Sequence, residues 1–200
     1  MNSYGLVLLA AGPSSRMGEP KQLLTFEGET LLVRALRSGQ EVVGENLVVV
    51  LGANAELILA AIDQPGVQVQ LNSDWPEGIA SSIRAGVAAM IRKYPSLDGI
   101  ILMVCDQPFV NPTLLSGLIQ ANRSTSKPIV ACSYGGTVGT PALFGPPLFP
   151  QLQRLSGSEG ARTIFREHPD QLTTIPFAQG SIDIDSMEDY LSLSRTFTRP

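Results

Sequence analysis

Two spacings of apolar residues alternate along the first two-thirds of the chain. Residues 4–10 (YGLVLLA) form a continuous apolar run, as expected of a strand buried on both faces. Residues 47–51 (LVVVL) repeat that pattern and are closed by Gly52. Residues 67–71, 99–105 and 129–133 read as three further strands. Between them lie stretches of helical spacing at 30–43, 53–62, 80–92 and 112–122. In the first of these, Leu32, Ala35 and Leu36 share one face. Pro112 opens the last, at a helix start where its missing N–H costs least. Strands alternating with helices of this length predict βαβ units and an α/β fold, a mainly parallel sheet flanked by helices.

After Tyr134 the rhythm changes. The stretch GGTVGTPALFGPPLFP is dense in glycine and proline and reads as a cap on the sheet rather than a separate domain. A helix near 159–167 follows. Short strands are expected at 172–175 and 181–184, and a final helix from Met187. The chain carries no internal repeat and reads as one domain over residues 1–200.

Composition narrows the choice of function. Of the 200 residues, 44% are hydrophobic and 16% charged, enough apolar material for a large core. The net charge of -4 offers no broad basic face for nucleic acid, so an anionic ligand must be held by locally placed groups. The short apolar start ends in a Gly/Pro/Ser loop and reads as a strand, not a signal sequence. No run approaches the length that crosses a membrane. The two cysteines, Cys105 and Cys132, form no C-x-x-C pair and suit a reducing cytoplasm. They read as core, and His168 reads as a helix-end residue without chemistry.

The loop leaving the first strand, LAAGPSSRMGEPKQLL, is the most informative segment. Open α/β sheets bind ligands at the carboxyl ends of their strands, which is where this loop sits. Gly12 and Gly18 permit close backbone approach, and successive N–H groups can cradle phosphate oxygens. Arg16 and Lys21 bring the cations a triphosphate needs. Neither the Walker pattern nor G-x-G-x-x-G is present. Further on, the buried run 100–105 ends in Asp106-Gln107-Pro108. An ionised carboxylate there needs a partner, and Mg²⁺, which favours one or two carboxylates plus phosphate oxygens and water, is a suitable one. Gly78, Ser81 and Ser82 lie at a helix N-terminus, where free N–H groups and hydroxyls can meet a polar ligand. In SIDIDSMEDY, Ser186 and Asp189 echo a capping box. Asp183 and Asp185 alternate with apolar residues and so should share one face of a short strand.

These segments resemble a known family. L-A-A-G-x-S-x-R-M-G-x-x-K is similar to the signature of the molybdenum-cofactor cytidylyltransferases, within the nucleotide-diphospho-sugar transferase-like enzymes. The resemblance covers nearly the whole chain. It implies a Rossmann-like sheet and transfer of a nucleotidyl group from a nucleoside triphosphate, with release of pyrophosphate. The nucleotide would be held by Leu9, Ala10, Ala11, Gly12, Ser14, Ser15, Arg16, Lys21, Gly78, Ser81 and Ser82. The catalytic residues would be Arg16, Lys21 and Asp106. Asp106 and Asp185 would be ligands of Mg²⁺, by similarity to D-Q-P and D-I-D-T-x-E-D segments, with Asp183 as the alternative to Asp185 and Ser186 in place of Thr.

Gly139, Thr140 and Pro141 resemble the family's G-x-P-x-L-F segment. Gly160 and Arg162 resemble its L-x-G-D-x-G-A-R, and these five imply an acceptor site. Ser158 departs from that pattern, standing where Asp is usual, which bears on the acceptor. On this basis residues 1–110 would bind the nucleotide, and 111–200 the acceptor and the second metal ligand. Ala11, where guanylyl enzymes usually have glycine, points to CTP. The expected acceptor is a molybdopterin, with a recipient molybdoenzyme or its chaperone as a further partner. A guanylyltransferase, a sugar-phosphate nucleotidyltransferase and a binding module without turnover are the competing readings.

Overall fold

A strand with apolar side chains on both faces is stable only with a layer packed on each, and the first strand, β1 (Tyr4–Leu9), is buried at every residue. The computed structural model describes residues 3–62, 67–158 and 160–197, with the last four of these described by backbone only. In chain order the elements after β1 are β2 (Thr25–Phe26), β3 (Glu29–Thr30), α1 (Leu31–Val43), β4 (Leu47–Leu51), α2 (Ala55–Leu59), β5 (Gln68–Leu71), α3 (Ile79–Lys93) and β6 (Gly99–Val104). Then come α4 (Pro112–Thr125), β7 (Ile129–Tyr134), β8 (Thr137–Phe144), α5 (Phe149–Leu152), α6 (Arg162–Glu167), β9 (Leu172–Pro176) and α7 (Met187–Phe197).

Seven strands form one sheet in the order β5-β4-β1-β6-β8-β7-β9. β1 pairs parallel with β4 on one side and β6 on the other. The chain therefore steps outward from β1 in one direction, then returns to continue in the other. Such a reversal opens a crevice beyond the carboxyl ends of the strands. The period-2 alternation of β1 divides its side chains between two cores. Leu6 and Leu8 pack with Leu32, Ala35 and Leu36 of α1 and Leu115 and Leu118 of α4. Val7 and Leu9 pack with Ile83, Val87 and Met90 of α3 and Leu152, Ile164 and Phe165 of α5 and α6. Helix starts follow the local chemistry. The Thr30 hydroxyl accepts from Val33 N–H at 3.2 Å, and Asn111 Oδ1 accepts from Leu114 N–H at 3.0 Å ahead of Pro112. Ser186 and Asp189 form the expected reciprocal cap, with bonds of 2.8 and 3.2 Å. Among the described residues, no helix is long and apolar enough to cross a membrane.

Three expectations are corrected. The first half of the Gly/Pro-rich stretch forms β8, which enters the sheet antiparallel between β6 and β7, and only its second half packs over the sheet, through Leu148 and Phe149. The alternation of β8 is interrupted by Gly139 and Pro141, which hid the strand. Residues 181–184 are not a strand but follow a 3₁₀ turn at Ala178–Ser181. The helix expected at 53–62 shrinks to α2, because Asn54 takes a left-handed conformation (φ 56) and blocks an earlier start. The helix near 159–167 begins at Arg162, and Glu159 lies outside the described residues.

The close approach of α3 to the sheet depends on Gly86. A Cβ there would lie 2.3 Å from Val7 Cγ1 and 2.8 Å from Val50 Cγ2, both branched side chains with little room to turn. Gly86→Ala is expected to destabilise the fold by about 1–3 kcal/mol despite alanine's better helix propensity. Urea denaturation checks this, and an unchanged or raised midpoint refutes the close packing.

Candidate active site

The crevice beyond β1 is built by three buried polar side chains and one partly buried lysine shared between two carboxylates. The loop after Leu9 folds back over Gln22, which is 1% exposed. Gln22 Nε2 donates to the carbonyls of Ala10 (2.8 Å) and Gly12 (3.2 Å). The Ser14 hydroxyl donates to Gln22 Oε1 at 3.3 Å and accepts from Lys21 N–H at 3.0 Å. Met17 anchors the far side of the loop in a small apolar cluster with Leu24, Phe26, Leu31, Ile184 and Leu193.

Lys21 Nζ lies 2.6 Å from Asp106 Oδ2 and 2.8 Å from Asp185 Oδ1. Asp106 is placed by the end of β6. Asp185 is placed by its neighbour Ile184, whose side chain is fully buried and whose N–H donates to the Asp106 carbonyl at 3.0 Å. Asp185, not Asp183, therefore shares Lys21 with Asp106. Burial opposes the Lys21 charge. The charge of Asp106 and the hydrogen bonds to both carboxylates outweigh it, and the pKa is held well above the ordinary lysine value. Burial raises the Asp183 carboxyl, helped by the charges of Asp106 and Asp185. Arg16 stands 3.6 Å from Asp185 and is largely exposed, so that contact is weak. Burial pushes the Cys105 and Cys132 thiols up to about 12, and neither is a nucleophile at neutral pH.

Two cavities meet at this corner, sharing Ile79 and Val104 as a common wall. The smaller, about 210 Å³, is lined by Leu9, Ala10, Ala11, Gly12, Lys21, Gly78, Ser82 and Asp106, and also by Trp75. The larger, about 650 Å³, is lined by Gly139, Thr140, Gly160 and Arg162, with Tyr134, Phe165 and Arg166 among the others. Four residues expected to bind nucleotide lie outside the smaller lining. Ser14 faces Gln22, Ser15 and Arg16 are exposed, and Ser81 donates to the Gly78 carbonyl at 2.9 Å while accepting from Asn72. Pro141 is buried in β8 and lines neither cavity.

Sequence reasoning missed the three polar residues that hold these walls. Asn72 Nδ2 donates to Ser81 and Ser82 at 2.9 and 3.0 Å and so fixes the start of α3. Gln107 Nε2 donates to the Gly180 carbonyl at 2.9 Å, while its Oε1 accepts from Thr140 at 3.4 Å, tying the end of β6 to the wall of the larger cavity. Gln22 holds the loop. The available signal was an uncharged amide set inside or beside each motif: Gln22 after Lys21, Asn72 ahead of Gly78, and Gln107 after Asp106.

Two carboxylates bridged by an ammonium mark a position that favours a cation. Among the described residues no group of three or more His, Cys, Asp or Glu could hold a metal. Two carboxylates with phosphate oxygens and water completing the shell is the pattern of Mg²⁺ rather than of an all-protein cage, so Asp106 and Asp185 fit a hard divalent ion.

Residues 6–172 match the MobA-like NTP transferase domain. The chain belongs to this family. It is a nucleotidyltransferase with the nucleotide-diphospho-sugar transferase fold. It is 31% identical over 198 residues to nicotine blue oxidoreductase of Paenarthrobacter nicotinovorans, covering 94% of each chain. It is 22% identical over 198 residues to the molybdenum cofactor cytidylyltransferase of Escherichia coli, covering 99% of each. The crystal structure of Rv0371c from Mycobacterium tuberculosis superposes with a TM-score of 0.83 at 31% identity, covering 96% of this chain and 97% of that one. A second structure of that protein, at 30% identity and a TM-score of 0.79, is a complex with manganese and has the same coverage.

Removing the Lys21 charge leaves Asp106 and Asp185 facing each other without a partner. Lys21→Met is expected to cost about 1–3 kcal/mol at pH 7, below the range for a fully buried pair because Asp185 is partly solvated. In the parent protein a raised lysine pKa stabilises below the ordinary lysine value and is lost as pH climbs through the raised one. Urea titrations of both proteins at pH 7 check this, and an unchanged midpoint for Lys21→Met refutes the pairing.

Proposed function

We propose that this protein uses a divalent cation, Mg²⁺, to transfer the cytidylyl group of CTP to the phosphate of a molybdopterin acceptor, releasing pyrophosphate. The observation that carries the proposal is Lys21 set between Asp106 and Asp185, beside the wall shared by a small and a large cavity. One donor and one acceptor can then meet beside the charges that the reaction needs.

The acceptor phosphate is already ionised at neutral pH, so its oxygen needs no general base to attack the α-phosphorus. That agrees with a site whose thiols are protonated and which holds no histidine. The work is positioning and charge neutralisation. A cation on Asp106 and Asp185 would supply neutralising charge at the reacting phosphate. Lys21 and the amides of Ala11 and Gly12 hold the departing phosphates, and Arg16, free to swing in solvent, meets them at the rim. Arg162, exposed at the first turn of α6, binds the acceptor phosphate through its planar guanidinium. Val104, Val138, Phe165 and Leu172 give the larger cavity apolar walls suited to a flat heterocycle. Ala11 and Trp75 narrow the smaller cavity, which favours a pyrimidine over a purine. The buried, unpaired cysteines agree with a cytoplasmic enzyme that hands its product to a recipient molybdoenzyme or its chaperone.

The identity with a protein called an oxidoreductase favours a second reading, in which the cleft serves hydride transfer. Pyrophosphate release measured with each of the four nucleoside triphosphates and molybdopterin separates the two. CTP is expected to give the highest kcat/KM. An equal or higher value for GTP removes the cytidylyl assignment, and consumption of a nicotinamide nucleotide without pyrophosphate release moves the protein to the second reading. Asp106→Asn keeps the shape and removes the charge. It should lower kcat by roughly 10²–10³ with the fold intact, and near-parental turnover at low Mg²⁺ refutes the metal role of Asp106.

A further inference from the structure

We infer that Gln22 is a positioning residue, a buried clamp that aims the amides of the loop at residues 10–14 before any ligand arrives. The inference rests on the reading of that loop as the triphosphate cradle. Gln22 is 1% exposed, yet it carries an amide on a chain segment whose neighbours Leu23 and Leu24 are apolar. A buried amide without partners is costly, and an apolar side chain of the same shape would fill the space at no such cost. Here each polar atom is used, and each bond ends on the same loop. The two N–H groups take the carbonyls of Ala10 and Gly12, and the oxygen takes the Ser14 hydroxyl.

The effect on the loop follows from peptide geometry. A peptide unit is planar and trans, so turning a carbonyl toward Gln22 turns the next residue's N–H away from it. Fixing the Ala10 carbonyl therefore fixes the Ala11 amide. On the opposite side, the Ala11 carbonyl accepts from Ala53 N–H at 3.1 Å, which fixes the Gly12 amide. Both residues line the small cavity. Pro13 supplies no N–H, so the loop has fewer donors than its length implies and their aim matters more. The clamp also reaches the cation. Lys21 precedes Gln22, and its own N–H donates to the same Ser14 hydroxyl. The amides and the ammonium are thus held by one hydrogen-bonded unit.

Gln22→Met keeps the length of the side chain and removes the bonds. Native-state hydrogen exchange of the ligand-free protein reads the clamp without reference to any activity. The amides of Met17 and Lys21 should exchange roughly tenfold faster or more, while those of β1 and β6 keep their protection. Calorimetry with CTP and CMP reads the consequence. The Kd for CTP should rise about tenfold or more, that for CMP by less than about twofold, and KM should change more than kcat. Should Gln22→Met fail to fold, Ser14→Gly removes the hydroxyl at a position (φ 53) that glycine adopts freely, and the same shifts in the same direction are expected. Unchanged exchange in the loop, or exchange raised uniformly across the sheet, overturns the clamp. Faster loop exchange in a protein that binds no nucleoside triphosphate keeps the clamp and overturns the nucleotide reading instead.

Discussion

Two carboxylates at one corner of a poorly solvated cleft repel each other, and the fold around the site rests on how that repulsion is met. Lys21, Asp106 and Asp185 are separated by 85 and 164 positions in sequence, yet one ammonium holds both carboxylates. Each of the three is delivered by a different structural argument. Lys21 follows a loop closed on Gln22, Asp106 ends a strand buried between two layers, and Asp185 rides on a single buried isoleucine. The attraction is strong because the groups are partly shielded from water, and the same shielding makes the loss of any one member costly. A site arranged in this way is charged and preorganised at the place where a polyphosphate brings more negative charge.

Much of this was legible in the chain. The apolar runs of β1, β4, β6 and β7 are strands because burial on both faces leaves no room for polar positions. The loop after β1 and the Asp that closes β6 declared themselves by placing polar groups where a buried strand stops. What could not be read was long-range. β8 is encoded by a segment whose glycine and proline argue against a strand. A Cβ at Gly139 would lie 2.2 Å from the Tyr134 hydroxyl oxygen, so a larger residue there would displace the Tyr134 ring. Asp183 and Asp185 alternate like strand residues, but residues 182–185 find no strand to pair with. The bond from Ile184 N–H to the Asp106 carbonyl ties them to the end of β6 and sets Asp185 beside Lys21.

The polar interior follows a single plan. Apart from Ser38, the buried polar side chains are Gln22, Asn72, Ser81, Ser82 and Gln107, all at the carboxyl end of the sheet. None carries a charge. Each amide ties together groups that the sheet's backbone bonds do not join: loop to loop at Gln22, strand end to helix start at Asn72, and Thr140 to the Gly180 turn at Gln107. Uncharged amides suit this task because they supply donors and acceptors together and add no charge to a field already set by the carboxylates. The cavity walls are therefore braced by buried amides, and of the five residues only Gln22 and Ser82 also reach the smaller cavity.

The antiparallel insertion of β8 also bears on how the chain is made. β6 carries Asp106 at its end and pairs with β1 on one side, and its other side waits for Ala142, Leu143 and Phe144. During synthesis the apolar backbone of β6 is complete some forty residues before its outer neighbour exists. Over that interval an apolar strand edge has no partner, the condition under which nascent α/β chains pair with one another. The strand that lines the larger cavity is thus the one whose late arrival seals the sheet.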